Sequence, residues 1–183
     1  MKRFLLSALL GLVLALGSRP ALAGPPATII YLVRHGEKDP TPGVADPLLT
    51  PAGQARAQAL ASKLAGKHPV ALFTTDTRRT RATLAPLAQA THLTPLVYSP
   101  KEADAFAIRL YKEYPSHTVV VVGHSNTLLP LLAALGVKAP MLEIKDEEYD
   151  YLFKVELREG RPARLKVSRY GAAAPLISGA SMR

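Results

Sequence analysis

The chain has 183 residues, carries 23 Lys and Arg against 14 Asp and Glu, and is 48% apolar, a length and mixture that suit one globular domain. This composition excludes a disordered or collagen-like chain. The absence of cysteine excludes disulfides, thiolate metal sites and a cysteine nucleophile.

Residues 1–23 read as an export signal, with Lys2 and Arg3 as a basic start, an apolar run from Phe4 to Gly17, and the small-x-small site Ala21-Leu22-Ala23. The run is shorter than the ~20 residues a spanning helix needs. Cleavage after Ala23 is expected, removing Lys2, Arg3 and Arg19 and lowering the formal charge from +9 to +6. Residues 24–183 are then a single exported domain, periplasmic or secreted, whose basicity favours anionic ligands. No second apolar stretch of spanning length follows, so no integral membrane segment is expected after cleavage.

From Ala27 onward short β-branched runs alternate with longer helical ones, the pattern of βαβ units on a parallel sheet. Strands are expected at Thr28–Val33, Val70–Thr74, Thr94–Tyr98 and Thr118–Val122; the near-continuous apolarity of the first fits burial on both faces. Gly36–Leu49, with three Pro, reads as a loop. Helices are expected at Pro51–Gly66, opened by Thr50 as N-cap with Pro51 in the first helical position, and at Thr77–Ala90, Lys101–Glu113 and Asn126–Leu135. After the acidic stretch Asp146–Asp150, the runs Tyr151–Leu157 and Ala163–Tyr170 form a hairpin turning at Glu159-Gly160. Gly171–Arg183 reads as a loosely held terminus.

In open α/β sheets ligands bind outside the C-terminal edge of the strands. His68, His92 and His117 precede strands and fall on the opposite edge; His35 and His124 follow strands and fall on the binding edge. Arg34 and the cluster Arg78, Arg79, Arg81 reach the same edge. Arginine offers planar, bidentate donors to phosphate oxygens, so two histidines and two arginines from separate loops can surround one phosphoryl group. Arg81, taken alone, reads as part of a solvated helix face.

Leu32-Val33-Arg34-His35-Gly36-Glu37 resembles the R-H-G signature of the histidine phosphatase superfamily, the fold of cofactor-dependent phosphoglycerate mutases and phosphohistidine phosphatases. Leu49-Thr50 with Gly53, the block Thr74–Thr83 with its second arginine at Arg79, and Gly123-His124-Ser125-Asn126 are similar to further family elements, in the family's order. The resemblance implies a three-layer α/β/α sandwich on a mostly parallel sheet with an antiparallel strand. It implies a phosphatase that hydrolyses phosphomonoesters without metal or cofactor: His35 attacks phosphorus, and Arg34, Arg79 and His124 hold the oxygens. The family supplies a carboxylic acid after the third strand, and Glu102 is the candidate here, ahead of Asp104 and of Glu37 at the rim. Glu102 and Asp104 equally suit a helix's first turn, and Glu37 equally suits a surface pair with Lys38.

Asn126 opens a helix and reads first as an N-cap, second as a substrate contact. Lys38 and Asp39 are candidates for the pocket mouth. Asp146–Asp150 reads as a solvated face rather than a metal site. The expected partner is a small phosphorylated substrate. No basic stripe with interleaved aromatics points to nucleic acid, since only 6% of residues are aromatic. A second reading of the same residues is a non-catalytic binder of phosphorylated or polyanionic ligands; the two histidines favour the enzyme.

Overall fold

A computed structural model describes residues 26–173 of the chain. The export signal expected at residues 1–23 and the end of the expected loose terminus, 174–183, lie outside the described residues. The first strand, β1 (Thr28–Arg34), shows why its sequence does not alternate: Ile30 and Leu32 enter one core cluster while Tyr31 and Val33 enter another on the opposite face. The valine run of β4 (Thr118–Gly123) divides the same way, Val119 and Val121 to one side and Val120 and Val122 to the other. A strand buried on both faces is apolar throughout, as parallel strands covered by helices are.

The sheet is completed by β2 (Ala71–Thr74), β3 (Leu96–Val97), β5 (Tyr151–Arg158) and β6 (Arg161–Arg169), in the order β3-β2-β4-β1-β5-β6. β3, β2, β4 and β1 are mutually parallel; β5 runs antiparallel to β1, and β6 antiparallel to β5. One strand therefore opposes the rest, as expected. Helices α1 (Pro51–Leu64) and α2 (Arg78–Thr91) cover one face through Leu60, Leu64, Leu84 and Leu87. Helices α3 (Ala103–Glu113) and α4 (Ser125–Ala134) cover the other through Phe106, Leu110, Leu128 and Leu131. This is the three-layer α/β/α sandwich.

Several boundaries move for identifiable reasons. Thr50 accepts the Gly53 N–H and Pro51 occupies the first turn, so α1 starts where expected, but its last residues tighten into a 3₁₀ turn at Ala65–Lys67. β3 is two residues rather than five: it is an edge strand with both residues exposed, and Pro95 precedes it. α3 begins at Ala103, two residues later than expected. In the hairpin, Gly160 takes φ +66° at the turn and Arg158 pairs with Arg161, so β6 starts two residues earlier than expected. Among the described residues no helix is long and apolar enough to cross a membrane.

Candidate active site

Three adjacent parallel strands, β2, β4 and β1, end side by side, and their register brings the predicted residues together. Arg34 pairs with Gly123 across β1 and β4, and Thr74 pairs with Val122 across β2 and β4. The residues one step beyond, His35, His124 and Thr75, are therefore neighbours. The His35 N–H donates to the Gly123 carbonyl at 3.0 Å, and the two imidazole centroids stand 5.3 Å apart, edge to face.

Each ring's partners fix its tautomer. His35 Nδ1 lies 2.8 Å from the Gly36 carbonyl oxygen, which can only accept, so Nδ1 carries the proton and Nε2 keeps its lone pair. Burial pushes the His35 imidazole down to about 3, with Arg34 and His124 adding repulsion, so the ring is neutral at ordinary pH. His124 Nδ1 faces Arg79 Nη2 at 3.4 Å, and a guanidinium only donates; Nε2–H of His124 therefore donates to Thr75 Oγ1 at 2.8 Å. Thr75 Oγ1 in turn meets Thr80 Oγ1 at 3.0 Å, and Thr80 Oγ1 donates to the Thr75 carbonyl. Burial and then Arg79 push His124 down to about 4.

The two arginines are held by loops. Arg34, 3% exposed, donates through Nη1 to the carbonyls of Lys145 at 2.7 Å and Asp146 at 3.1 Å; Nη2 meets the Asp146 carboxylate at 3.5 Å, and the guanidinium lies 4.1 Å over the Tyr149 ring. The acidic stretch is thus more than the solvated face expected of it: its backbone clamps Arg34. Arg79 donates through Nη1 to Asp46 at 3.2 Å. Nε of both arginines is buried without a hydrogen-bond partner among the described residues, a cost of about 1–3 kcal/mol per donor.

Behind the histidines the backbone is packed to contact. A Cβ on Gly36 would lie 2.7 Å from the Gly53 carbonyl oxygen, and one on Gly53 only 2.2 Å from that of Glu37, so neither position accepts a side chain. Thr83 Oγ1 accepts the Gly36 N–H at 2.9 Å and donates to the Arg79 carbonyl at 2.8 Å, joining the His35 loop to α2. Glu37 is neither in the lining of the cleft, as a rim acid would be, nor the surface partner of Lys38: Arg56, 4% exposed, grips its carboxylate through Nη2 at 2.6 Å and Nε at 3.0 Å, and also donates to the carbonyls of Tyr170 and Ala172.

A cleft of about 520 Å³ opens over these groups, with Arg34, His35, Arg79 and His124 in its lining together with Lys38, Lys101, Asn126 and Asp146. Glu102 is not brought to it. β3 ends two residues before Ser99, so Pro100 and Lys101 meet the cleft while Glu102, the residue before α3, lines a neighbouring hollow with Tyr98 and Phe106. Asp104 stands exposed in the first turn of α3. Asn126 is not the N-cap: His124 holds that place, its N–H donating to Thr127 Oγ1 at 3.0 Å, and Asn126 lines the cleft from the first turn. Lys38 takes the expected place at the mouth, whereas Asp39 turns away to accept from Thr41. Arg81 pairs with Asp76 on the surface, as a solvated face would. Among the described residues no group of His, Asp and Glu is clustered to hold a metal.

Sequence reasoning missed Thr75, Arg56 and Asp46. A signal existed for the first, a threonine directly after a strand on the binding edge; Arg56 and Asp46 act through contacts distant in sequence.

The model of the histidine phosphatase superfamily (branch 1) matches residues 30–101, from the core of β1 to the cleft residue Lys101. This region belongs to the histidine phosphatase superfamily. Solved structures extend the likeness in fold beyond the matched stretch. The protein histidine phosphatase SixA complexed with tungstate has TM-score 0.63 at 18% identity, covering 77% of this chain and 96% of that one. A mycobacterial glucosyl-3-phosphoglycerate phosphatase has TM-score 0.59 at 18% identity, over 80% of this chain and 99% of the other. "Mycobacterial hydrolase 1" has TM-score 0.63 at 17% identity, over 81% and 100%. At such identities the likeness is one of fold. No curated protein matches the chain by sequence.

Proposed function

We propose that the chain is an exported, metal-independent phosphatase that hydrolyses phosphomonoesters through a phosphohistidine on His35. The observation that carries this is the His35 tautomer: with Nδ1–H committed to the Gly36 carbonyl, Nε2 keeps a free lone pair inside a cleft lined by two arginines and a second histidine. A neutral nucleophile beside fixed cations suits attack on an anion. Nε2 bonds to phosphorus in line with the departing oxygen, and Arg34 and Arg79 offset charge on the nonbridging oxygens. His124, neutral in the free site, gains a proton-stabilising anion when phosphate arrives, which turns its Nδ1 into a further donor. Water then attacks phosphorus and frees Nε2.

The family match and the phosphatases among the structural neighbours support the reaction class. Export is supported by the pattern of residues 1–23. The test is p-nitrophenyl phosphate hydrolysis in EDTA beside His35→Ala. Turnover abolished by the substitution supports the assignment, and turnover that survives it refutes it. Export is tested separately, by whether the protein recovered outside the cytoplasm begins at Gly24.

A further inference from the structure

The floor and the rim of the cleft differ in kind. Arg34 and His35 at the floor are each 3% exposed, whereas Lys38, Lys101 and Asn126 at the rim are open to solvent. In-line attack by His35 Nε2 sends the leaving oxygen away from the floor, toward that rim. The rim offers it two ammonium groups and, among the described residues, one carboxylate, that of Asp146. This carboxylate is the anionic partner of Arg34 and is 97% exposed. Two other acids nearby also have partners: Glu37 pairs with Arg56, and Asp46 pairs with Arg79 and accepts the Arg78 backbone N–H. Among the described residues the leaving group therefore meets two ammonium groups and, as its one carboxylate, the exposed partner of Arg34.

We propose that the favoured substrates are phosphoanhydrides, in which the terminal phosphoryl group is joined through oxygen to a second phosphate whose charge Lys38 and Lys101 receive. The inference rests on the phosphohistidine reading and specifies its leaving group. As the Nε2–P bond forms, the bridging P–O bond breaks and its electron pair leaves with the oxygen. An alkoxide leaving in this way must be protonated, its conjugate acid being about as weak as water. A phosphate oxygen, titrating at about 6, departs as the anion without an acid. Water's oxygen then bonds to phosphorus, the N–P pair returns to Nε2, and the water's proton passes to solvent at the mouth.

The test compares kcat/KM of the full chain for inorganic pyrophosphate and for glycerol phosphate. The expected preference for pyrophosphate is at least about 100-fold, the lower end of what a positioned general acid contributes to the ester reaction. Equal rates on the two overturn the proposal while leaving the phosphohistidine reading intact, because glycerol phosphate turnover is itself a result of that reading. If neither compound, nor p-nitrophenyl phosphate, is cleaved and no phosphohistidine is trapped, both readings fall. A variant carrying Lys38→Gln and Lys101→Gln is expected to lower the ratio of pyrophosphate to p-nitrophenyl phosphate kcat/KM by about tenfold, the scale of two exposed charge contacts. An unchanged ratio overturns the role given to the lysines.

Discussion

His35→Asn separates what the buried imidazole does for the reaction from what its titration does to stability. Asparagine can still donate from its amide to the Gly36 carbonyl, but it does not titrate. In the folded protein the His35 imidazole is pushed down to about 3, against 6.5 for an ordinary histidine, and the side chain is 3% exposed. Between those values the unfolded chain binds a proton at this position and the folded chain does not, so stability falls as pH falls. Linkage sets the slope at about 1.4 kcal/mol per pH unit within the window, which integrates to about 2.5 kcal/mol between pH 7 and pH 4.5. Urea unfolding of the wild type and of His35→Asn across this range reads the difference directly. Whatever constant offset the substitution introduces, the stability of the wild type relative to His35→Asn should fall by about 2–3 kcal/mol as pH falls across this range. Parallel curves would refute the claim that this imidazole is held neutral by burial.

Other substitutions test the supports of the site. Gly53→Ala places a Cβ 2.2 Å from the Glu37 carbonyl oxygen, backbone against backbone, so thermal unfolding should show a loss of at least about 1–3 kcal/mol together with lost activity. Arg56→Ala leaves the Glu37 carboxylate and two carbonyls without their donor, and a loss of about 3–5 kcal/mol is expected in the same assay. Arg79→Ala removes an oxyanion donor from the cleft and should lower kcat/KM for p-nitrophenyl phosphate by about 10²–10³-fold with an unfolding midpoint near that of the wild type. Because burial holds His35 and His124 down at about 3 and about 4, neither sets an acid limb in free-enzyme kcat/KM between pH 7 and pH 5; a fall with the midpoint of an ordinary histidine would contradict that.

The layers of the fold were legible because burial on both faces writes itself into composition. The run Val119–Val122 has no polar alternate position to expose, and that can only be a central strand under helices. Arg34, His35, Arg79 and His124 were legible for a related reason: each stands within a few residues of a strand's C-terminal end, and parallel register does the rest. Where the sequence reading failed, the cause was contact at long range or the length of an edge strand. A five-residue third strand would bring Glu102 close to the binding edge, but only Leu96 and Val97 pair, and the chain turns into α3 before Glu102 reaches the cleft. Glu37 reads as an acid at the rim or a surface pair with Lys38, while its partner Arg56 lies on α1, 19 residues away. The clamp on Arg34 uses the main chain of Lys145 and Asp146, which no side-chain pattern announces.

The central claim is the covalent one, that phosphorus is carried on His35. The chain mixed with p-nitrophenyl phosphate, quenched in alkali within a turnover and digested, should yield one peptide heavier by a phosphoryl group, with the modification on His35, lost in acid and absent from His35→Asn. Steady turnover of the wild type with no such peptide, or with an acid-stable phosphoryl group on another residue, would contradict it.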